Sequence, residues 1–461
     1  MRTCKLSVKK LFIKSYGCQM NVYDSNRMTD LLRPLGYETT DLAEGADIVI
    51  LNTCHIREKA EDKVYSDLGR IKPFKAAKSD MILAVAGCSA QALGDEILRQ
   101  APYVDMIFGP QTYHQLPEMI AKLSRAKSKD PRATILNVDF PEESKFDHLP
   151  DPTPTNADGS SAFVSIQEGC DKFCTFCVVP YTRGAEYSRP VEKIIQEIKA
   201  LLSRGIKEIT LLGQNVNAFH GLDSNSKEWN LGKLIKHIAD FQELERIRYT
   251  TSHPNDMHDD LYEAHHRVSK LMPHLHLPVQ VGSDSILKAM NRKHTCDDYL
   301  KIIDKMKSLR PEIAFSSDFI VGFPGESEKD FQETLKLIEN VKYAQAYSFK
   351  YSIRPGTPAG AMEYQVPEEV KNERLYRLQD LLNTQQLEFN KSFVGKTLDV
   401  LFERDGKHEG QLIGKTQYLQ SVYVDGKKRL KGSILETKII DAKQNGLAGE
   451  LILVQDGTQD Q

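Results

Sequence analysis

The chain has 461 residues, enough for about three domains at the usual ~150 residues each, which excludes a single small core. With 40% hydrophobic and 27% charged residues it can bury real cores and is neither a disordered tract nor a coiled coil. Its 61 basic and 64 acidic residues give a net charge of −3, which excludes nucleic-acid binding by bulk positive charge and leaves only local contacts.

In the opening stretch, MRTCKLSVKKLFIKSYGC, basic residues interrupt every apolar run, so it offers neither a signal-peptide core nor a membrane-spanning helix. A cytoplasmic protein without membrane contact is expected. Eight cysteines are too few for a disulfide scaffold in so long a chain, and clustered cysteines in a reducing compartment hold metal more often. Cys4 and Cys296 stand apart from the clusters and read as unpaired structural thiols.

Over residues 8–125 one unit recurs. A β-branched apolar run ends in a small loop carrying a cysteine and then opens into a helical pattern: LFIKSYGC ends at Cys18, DIVILNTC at Cys54 and MILAVAGC at Cys88. Apolar runs without alternation suit strands covered on both faces, so this is an α/β domain with a doubly wound parallel sheet. Its strand-to-helix loops share one edge, which brings the three cysteines to one place. They suit an iron–sulfur cluster with one open iron, or a zinc ion completed by His55. VDMIFGP reaches the same edge without a cysteine.

Residues 126–160 are rich in Pro, Asp and Ser and read as a linker. Six strand-like runs then alternate with amphipathic stretches over 161–391: AFVSIQ, IKEITLLG, RIRYTTS, HLHLPVQ, IAFSSDFIVG and AQAYSFKYS. This predicts a partial (β/α)6 parallel barrel with its chemistry at the strand carboxyl ends. Residues 392–456 alternate and turn often, as in a small antiparallel β-barrel.

The strongest signal is EGCDKFCTFC, which sets Cys170, Cys174 and Cys177 in a C-x3-C-x2-C loop after the first barrel strand. Three thiolates hold three irons of a 4Fe-4S cluster and leave the fourth iron open, whereas a structural zinc would want a fourth ligand that is not evident nearby. The loop resembles that of the radical S-adenosylmethionine (SAM) enzymes, in which the open iron chelates SAM. Two further stretches fit a SAM pocket through that resemblance. LLGQN, with Gly213, Gln214 and Asn215, follows the second strand, and DFIVGFPGE ends the fifth with Asp318, Gly322 and Gly325. Each glycine is also what a tight turn requires.

Taken together, KSYGCQMNVYDS, NTCHIREKA, AGCSAQ, EGCDKFCTFCVVPYTRGAEYSRP, LLGQNVNAF, TTSHP and DFIVGFPGE resemble the methylthiotransferases, specifically the MiaB type acting on tRNA. The resemblance implies an auxiliary 4Fe-4S cluster on Cys18, Cys54 and Cys88, a radical SAM cluster on Cys170, Cys174 and Cys177, and a closing TRAM domain. It implies 2-methylthiolation of N6-isopentenyladenosine at position 37, beside the anticodon, with one SAM as methyl donor and another as radical source. The C2–H bond of adenine is unactivated, so side chains acting as acids and bases could not break it and a cofactor must. An anticodon loop is single-stranded, so extruding one base costs little.

Such a protein needs a flavodoxin- or ferredoxin-like electron donor, and a monomer is expected. For RNA contact the local basic groups are Lys427, Lys428, Arg429 and Lys431 after the Asp425-Gly426 turn, read as a hairpin tip on phosphates or a solvated turn. Arg183 and Arg189 pair with SAM carboxylate, tRNA phosphate or loop-anchoring carboxylates. Arg354 closes the sixth strand at the same face, and His253 is a cavity or a core histidine. The competing readings are the same chemistry on a ribosomal-protein aspartate or a threonylcarbamoylated adenosine, and a non-catalytic metal protein that binds RNA.

Overall fold

The computed structural model describes residues 8–55, 58–150 and 159–452; Cys4, residues 151–158 near the end of the expected linker, and the tail beyond 452 lie outside them. The chain divides into two compact units, one formed by Met1–Thr155, Glu168–Asp171 and Cys177–Arg189, the other by Asn156–Gln167, Lys172–Phe176 and Pro190–Gln461.

In the first unit a six-stranded parallel sheet has the order β2-β1-β3-β4-β5-β6, with β1 Lys9–Ser15, β2 Tyr37–Thr39, β3 Ile48–Thr53, β4 Ile82–Gly87, β5 Met106–Phe108 and β6 Ile135–Asn137. Helices α1 Gln19–Leu32, α2 Glu58–Ala77, α3 Cys88–Gln100 and α4 Leu116–Lys127 complete it. The central strand β3 is buried along its whole length, which is why its sequence does not alternate. Two separate apolar clusters, one holding Val49, Leu51, Leu83 and Val85 and the other Ile48, Ile50, Ala84 and Met106, cover the two faces of the sheet.

The expected linker at 126–160 needs correcting. Its first residues end α4, and Ile135–Asn137 pairs in parallel with β5 as the sheet edge. A three-residue strand is too short to show periodicity, and turn-forming neighbours hid it. Within the expected barrel range of 161–391, Glu168–Asp171 and Cys177–Arg189 group with the first unit.

The second unit contains the six expected barrel strands. Ser161–Ser165, Glu208–Leu212 and Arg246–Thr250 form one parallel arc, and His274–His276, Ala314–Val321 and Gln345–Lys350 form another. An Ile247–Leu271 bridge joins the arcs into a partial barrel. Residues facing the helices, such as Ile209, Leu211, Ile247, Leu275 and Phe319, are fully buried. Each such side chain contributes about 1.5–3 kcal/mol. The alternate positions Glu208, Arg246 and Arg248 point the other way and carry charge, as the register Glu208 to Arg246 requires.

The helix Glu368–Lys391 leads into a closed five-stranded barrel of Thr397–Asp405, Gln411–Lys415, Ser421–Asp425, Gly446–Leu451 and Ile434–Lys443. It is antiparallel except where Val422 and Tyr423 pair in parallel with Leu447 and Ala448. This barrel docks on the larger one through backbone carbonyls. Arg246 donates to Lys415 O at 3.0 Å and Asp399 O at 2.9 Å, and Arg248 to Gln417 O and Thr416 O, both at 2.8 Å.

Candidate active site

The three N-terminal cysteines stand at adjacent strand ends. Cys18 caps α1 and Cys88 is the first residue of α3, so both thiols sit at helix N-termini, where the positive end of the helix dipole favours thiolate. Cys54 and Cys88 are buried and Cys18 half-buried. Glycine is obligatory in two of the turns. Gly17 has φ +98° and an added Cβ would collide with Cys54, while Gly87 has φ +90° and would meet Thr53 O and Asn52.

Polar side chains lock these turns together. Asn21 donates to Asn52 Oδ1 at 3.1 Å and Thr53 O at 2.8 Å, Asn52 donates to Asn21 O at 2.8 Å, and Thr53 donates to Ala86 O at 2.6 Å. Ser89 donates to Cys54 O at 3.0 Å. The bond from Cys54, aided by Arg183 and opposed by burial, lowers the Cys18 thiol to about 6. Burial pushes the Cys88 thiol up, with Arg183 pulling against it.

No group of three or more His, Cys, Asp or Glu side chains among the described residues is drawn in around a single ion. His55 is buried beside Cys54 and completes no such set.

Arg183 and Arg189 are placed differently from a ligand-contacting role. Arg183 is 3% exposed, with Nη2 on Asp24 at 2.7 Å and Nη1 on Glu168 at 2.5 Å. Arg189 is buried with its guanidinium 4.6 Å over the Phe146 ring and 3.5 Å from the Tyr23 hydroxyl. In this structure both take up the anchoring alternative, Arg183 by ion pairs and Arg189 by packing. Asp24, Glu168 and Lys145 carried no sequence signal, because each finds its partner far along the chain.

Around the C-x3-C-x2-C loop, Phe173 has φ +48° and is 54% exposed, while Phe176 packs on the cluster formed by Val281, Leu287, Met290 and Phe323. Thr175 N–H donates to Met290 O at 3.1 Å, Asn291 donates to Phe173 O at 3.0 Å, and Arg292 Nη1 lies 3.6 Å from Cys174 Sγ. The segment 290–292, which no motif singled out, thus pins the loop.

At the second strand end, Gln214 and Asn215 N–H donate to Gln167 Oε1 at 2.8 and 3.0 Å, and Gly213 has no room for a Cβ against the same side chain. Asp256 accepts from Asn215 at 2.8 Å and from Lys172 of the cysteine loop at 2.7 Å. Asn215 Oδ1, Ser252 Oγ and His253 Nε2 are buried with no partner among the described residues. Such groups cost free energy unless a ligand satisfies them, which fits a polar molecule such as SAM at this edge. His253 is buried and burial lowers its pKa strongly, so it is a neutral imidazole.

At the fifth strand, Asp318 lies 3.6 Å from His276 and is partly exposed. Gly322, at φ +72°, donates to Glu326 at 2.7 Å, and the space over it is filled by Lys371, so this glycine serves the packing of the C-terminal helix. Gly325, at φ +82°, has open space above it. Arg374 pairs with Glu326 at 2.7 Å. Arg354 is half-buried after the sixth strand.

In the small barrel, Lys427, Lys428 and Arg429 are exposed and make no ion pair among the described residues, whereas Lys431 pairs with Asp405 at 3.2 Å. The expected hairpin tip is corrected to a crossover. Ser421–Asp425 and Ile434–Lys443 do not pair with each other, and a short 3-10 turn, Lys428–Leu430, lies between them.

The fold and these sites define a radical SAM protein with an added N-terminal sheet domain and a C-terminal TRAM barrel. Residues 164–338 match the radical SAM superfamily, 391–452 the TRAM domain, and 10–109 the uncharacterized protein family UPF0004. The solved radical SAM methyltransferase TsrM from Kitasatospora setae shares the fold at TM-score 0.56 and 14% identity, covering 77% of each chain. OxsB, a cobalamin-dependent SAM radical enzyme, does so at TM-score 0.52 and 14% identity over 82% of this chain and 56% of its own. Relatives named tRNA-2-methylthio-N(6)-dimethylallyladenosine synthase are 61% identical in Wolbachia pipientis subsp. Culex pipiens, over 96% of this chain and 99% of that protein, and 58% identical in Maricaulis maris, over 96% and 97%. The chain belongs to the tRNA-2-methylthio-N(6)-dimethylallyladenosine synthase family.

Proposed function

We propose that this chain is a methylthiotransferase that converts N6-isopentenyladenosine at position 37 of tRNA into its 2-methylthio derivative. The convergence of Cys18, Cys54 and Cys88 from three separate turns, in a chain that belongs to this family, is the observation that carries the reading. Cys18, Cys54 and Cys88 would hold one 4Fe-4S cluster and Cys170, Cys174 and Cys177 another. Iron–sulfur chemistry with SAM supplies, when bound, the hydrogen abstraction that an unactivated C2–H bond demands.

The chain's own residues bind, orient and exclude water. Gly213, Gln214 and Asn215 shape the turn at the SAM edge, and the unpartnered Asn215, Ser252 and His253 atoms would take up SAM polar groups. Neutral His253, whose Nδ1 accepts from Asn255 N–H at 3.2 Å, carries its proton on Nε2 and donates a hydrogen bond there without placing a second cation beside Arg292. Asp318 and the open Gly325 suit a ribose and adenine approach. Lys427, Lys428 and Arg429 are free to sit on tRNA phosphates. No described helix is long and apolar enough to cross a membrane, and the reading is of a monomeric cytoplasmic enzyme fed by a flavodoxin- or ferredoxin-like donor.

The test is anaerobic incubation of the full chain with SAM, a reductant and tRNA carrying N6-isopentenyladenosine, followed by nucleoside analysis. The 2-methylthio nucleoside is expected. Product only on threonylcarbamoylated tRNA or on ribosomal protein would reassign the acceptor, and absence of 5′-deoxyadenosine would leave a non-catalytic RNA-binding protein.

A further inference from the structure

Arg292 reaches the cysteine loop from a turn held in an uncommon backbone shape. Asn291 at φ +61° and Lys293 at φ +58° flank it in the left-handed region, which residues with a Cβ rarely adopt. Bonds from several segments hold that turn. Arg292 N–H donates to Leu287 O at 2.9 Å, Asn255 donates to Lys293 O at 3.0 Å, and the Thr175 hydroxyl of the cysteine loop donates to Ala289 O at 2.9 Å. The guanidinium then donates through Nη2 to Pro278 O at 2.5 Å and through Nη1 to Cys174 Sγ at 3.6 Å, a length that suits the larger sulfur atom.

Its charge is buried and has no counter-ion. Arg292 is 5% exposed, makes no ion pair among the described residues and leaves Nε without a partner. Lys172, another cation acting on His253, is already paired with Asp256 at 2.7 Å. The His253 and His294 rings, 5.8 Å apart, are kept neutral by burial and by the Arg292 charge itself. A guanidinium buried in this way is costly unless an anion accompanies it. The Cys174 sulfur can be that anion, because a metal-bound thiol is deprotonated.

We propose that Arg292 is a positioning residue for the radical SAM site: its guanidinium donates to the Cys174 sulfur and supplies the counter-charge that raises the reduction potential of the cluster held there. A hydrogen bond to a ligand sulfur and an uncompensated positive charge both favour the more reduced, more negative state. Arg292 thereby sets how readily an electron donor reduces the cluster before SAM is cleaved. The inference rests on the reading that Cys170, Cys174 and Cys177 hold a 4Fe-4S cluster.

The experiment uses the full chain with Cys18, Cys54 and Cys88 replaced by Ala, reconstituted anaerobically, so that only the second cysteine trio binds iron. Its midpoint potential and SAM affinity are compared with those of the same chain carrying Arg292→Gln. Both should hold about four irons, and the midpoint of the substituted chain should be lower. An equal midpoint overturns the inference, and weaker SAM binding at that equal midpoint would give the guanidinium to the SAM carboxylate instead. A parent chain without iron overturns the cluster reading rather than the role of Arg292. If Arg292→Gln holds no iron, pulsed electron paramagnetic resonance of the reduced parent chain, with its arginine nitrogens isotopically labelled, decides. Coupling of a labelled nitrogen to the cluster spin is expected, and its absence contradicts the role.

Discussion

Arg248 donates to the carbonyl oxygen of Gln417 at 2.8 Å, joining the third strand of the large barrel to the small C-terminal barrel across most of the intervening chain. The same guanidinium lies 3.0 Å from Glu208, with both side chains 5% exposed. Arg248→Ala would leave the Glu208 carboxylate buried beside a weaker partner, Arg246, at 3.9 Å. A loss of about 3 kcal/mol is expected from such a broken pair, measured by urea denaturation. Arg248→Met with Glu208→Met should lose less, and equal losses would show that the carbonyl bonds, not the charge pair, dominate.

Lys431 is engaged with Asp405, so the phosphate-binding capacity of the tail falls on Lys427, Lys428 and Arg429. Removal of one phosphate-bound cation should lower the slope of log affinity against log salt by about 0.7–0.9. Replacing these three by Ser should therefore flatten the salt dependence of tRNA binding as much as replacing all four. Coincident wild-type and variant slopes would move the RNA surface elsewhere, and Arg183 and Arg189 are too deeply buried to take it over.

His265 is 1% exposed, its Nε2 is 2.6 Å from the Tyr249 hydroxyl, and burial lowers its pKa to about 3. The unfolded chain takes up this proton near pH 6.5 and the folded chain does not until about 3, so stability falls as pH drops through that window. At about 1.4 kcal/mol per pH unit, wild type should lose about 2 kcal/mol more than His265→Gln between pH 7 and pH 5. Parallel urea-denaturation curves at the two pH values would contradict this assignment.

The parallel strands and the cysteine turns were legible because apolar runs such as IVIL and ILAVA do not alternate and end at Cys54 and Cys88. Edge strands Tyr37–Thr39 and Ile135–Asn137 were not, being three residues each. RIRYT reads equally as a strand with a solvent face; only the docked small barrel shows that Arg246 and Arg248 face carbonyl oxygens. Arg183 was recognisable as a candidate, but its partners Asp24 and Glu168 lie on different segments and follow no spacing rule. Gly322 looked like a ligand-approach glycine, and the Lys371 side chain shows what actually crosses it.

The central claim is that two cysteine trios do separate jobs, and SAM cleavage measured alongside methylthio product in two single variants tests it most directly. Cys170→Ala should release no 5′-deoxyadenosine and make no product, because the open-iron site that takes SAM is lost. Cys88→Ala should still release 5′-deoxyadenosine while making no 2-methylthio nucleoside. Full product formation by Cys88→Ala would contradict the account, since the three convergent N-terminal thiols would then be structural.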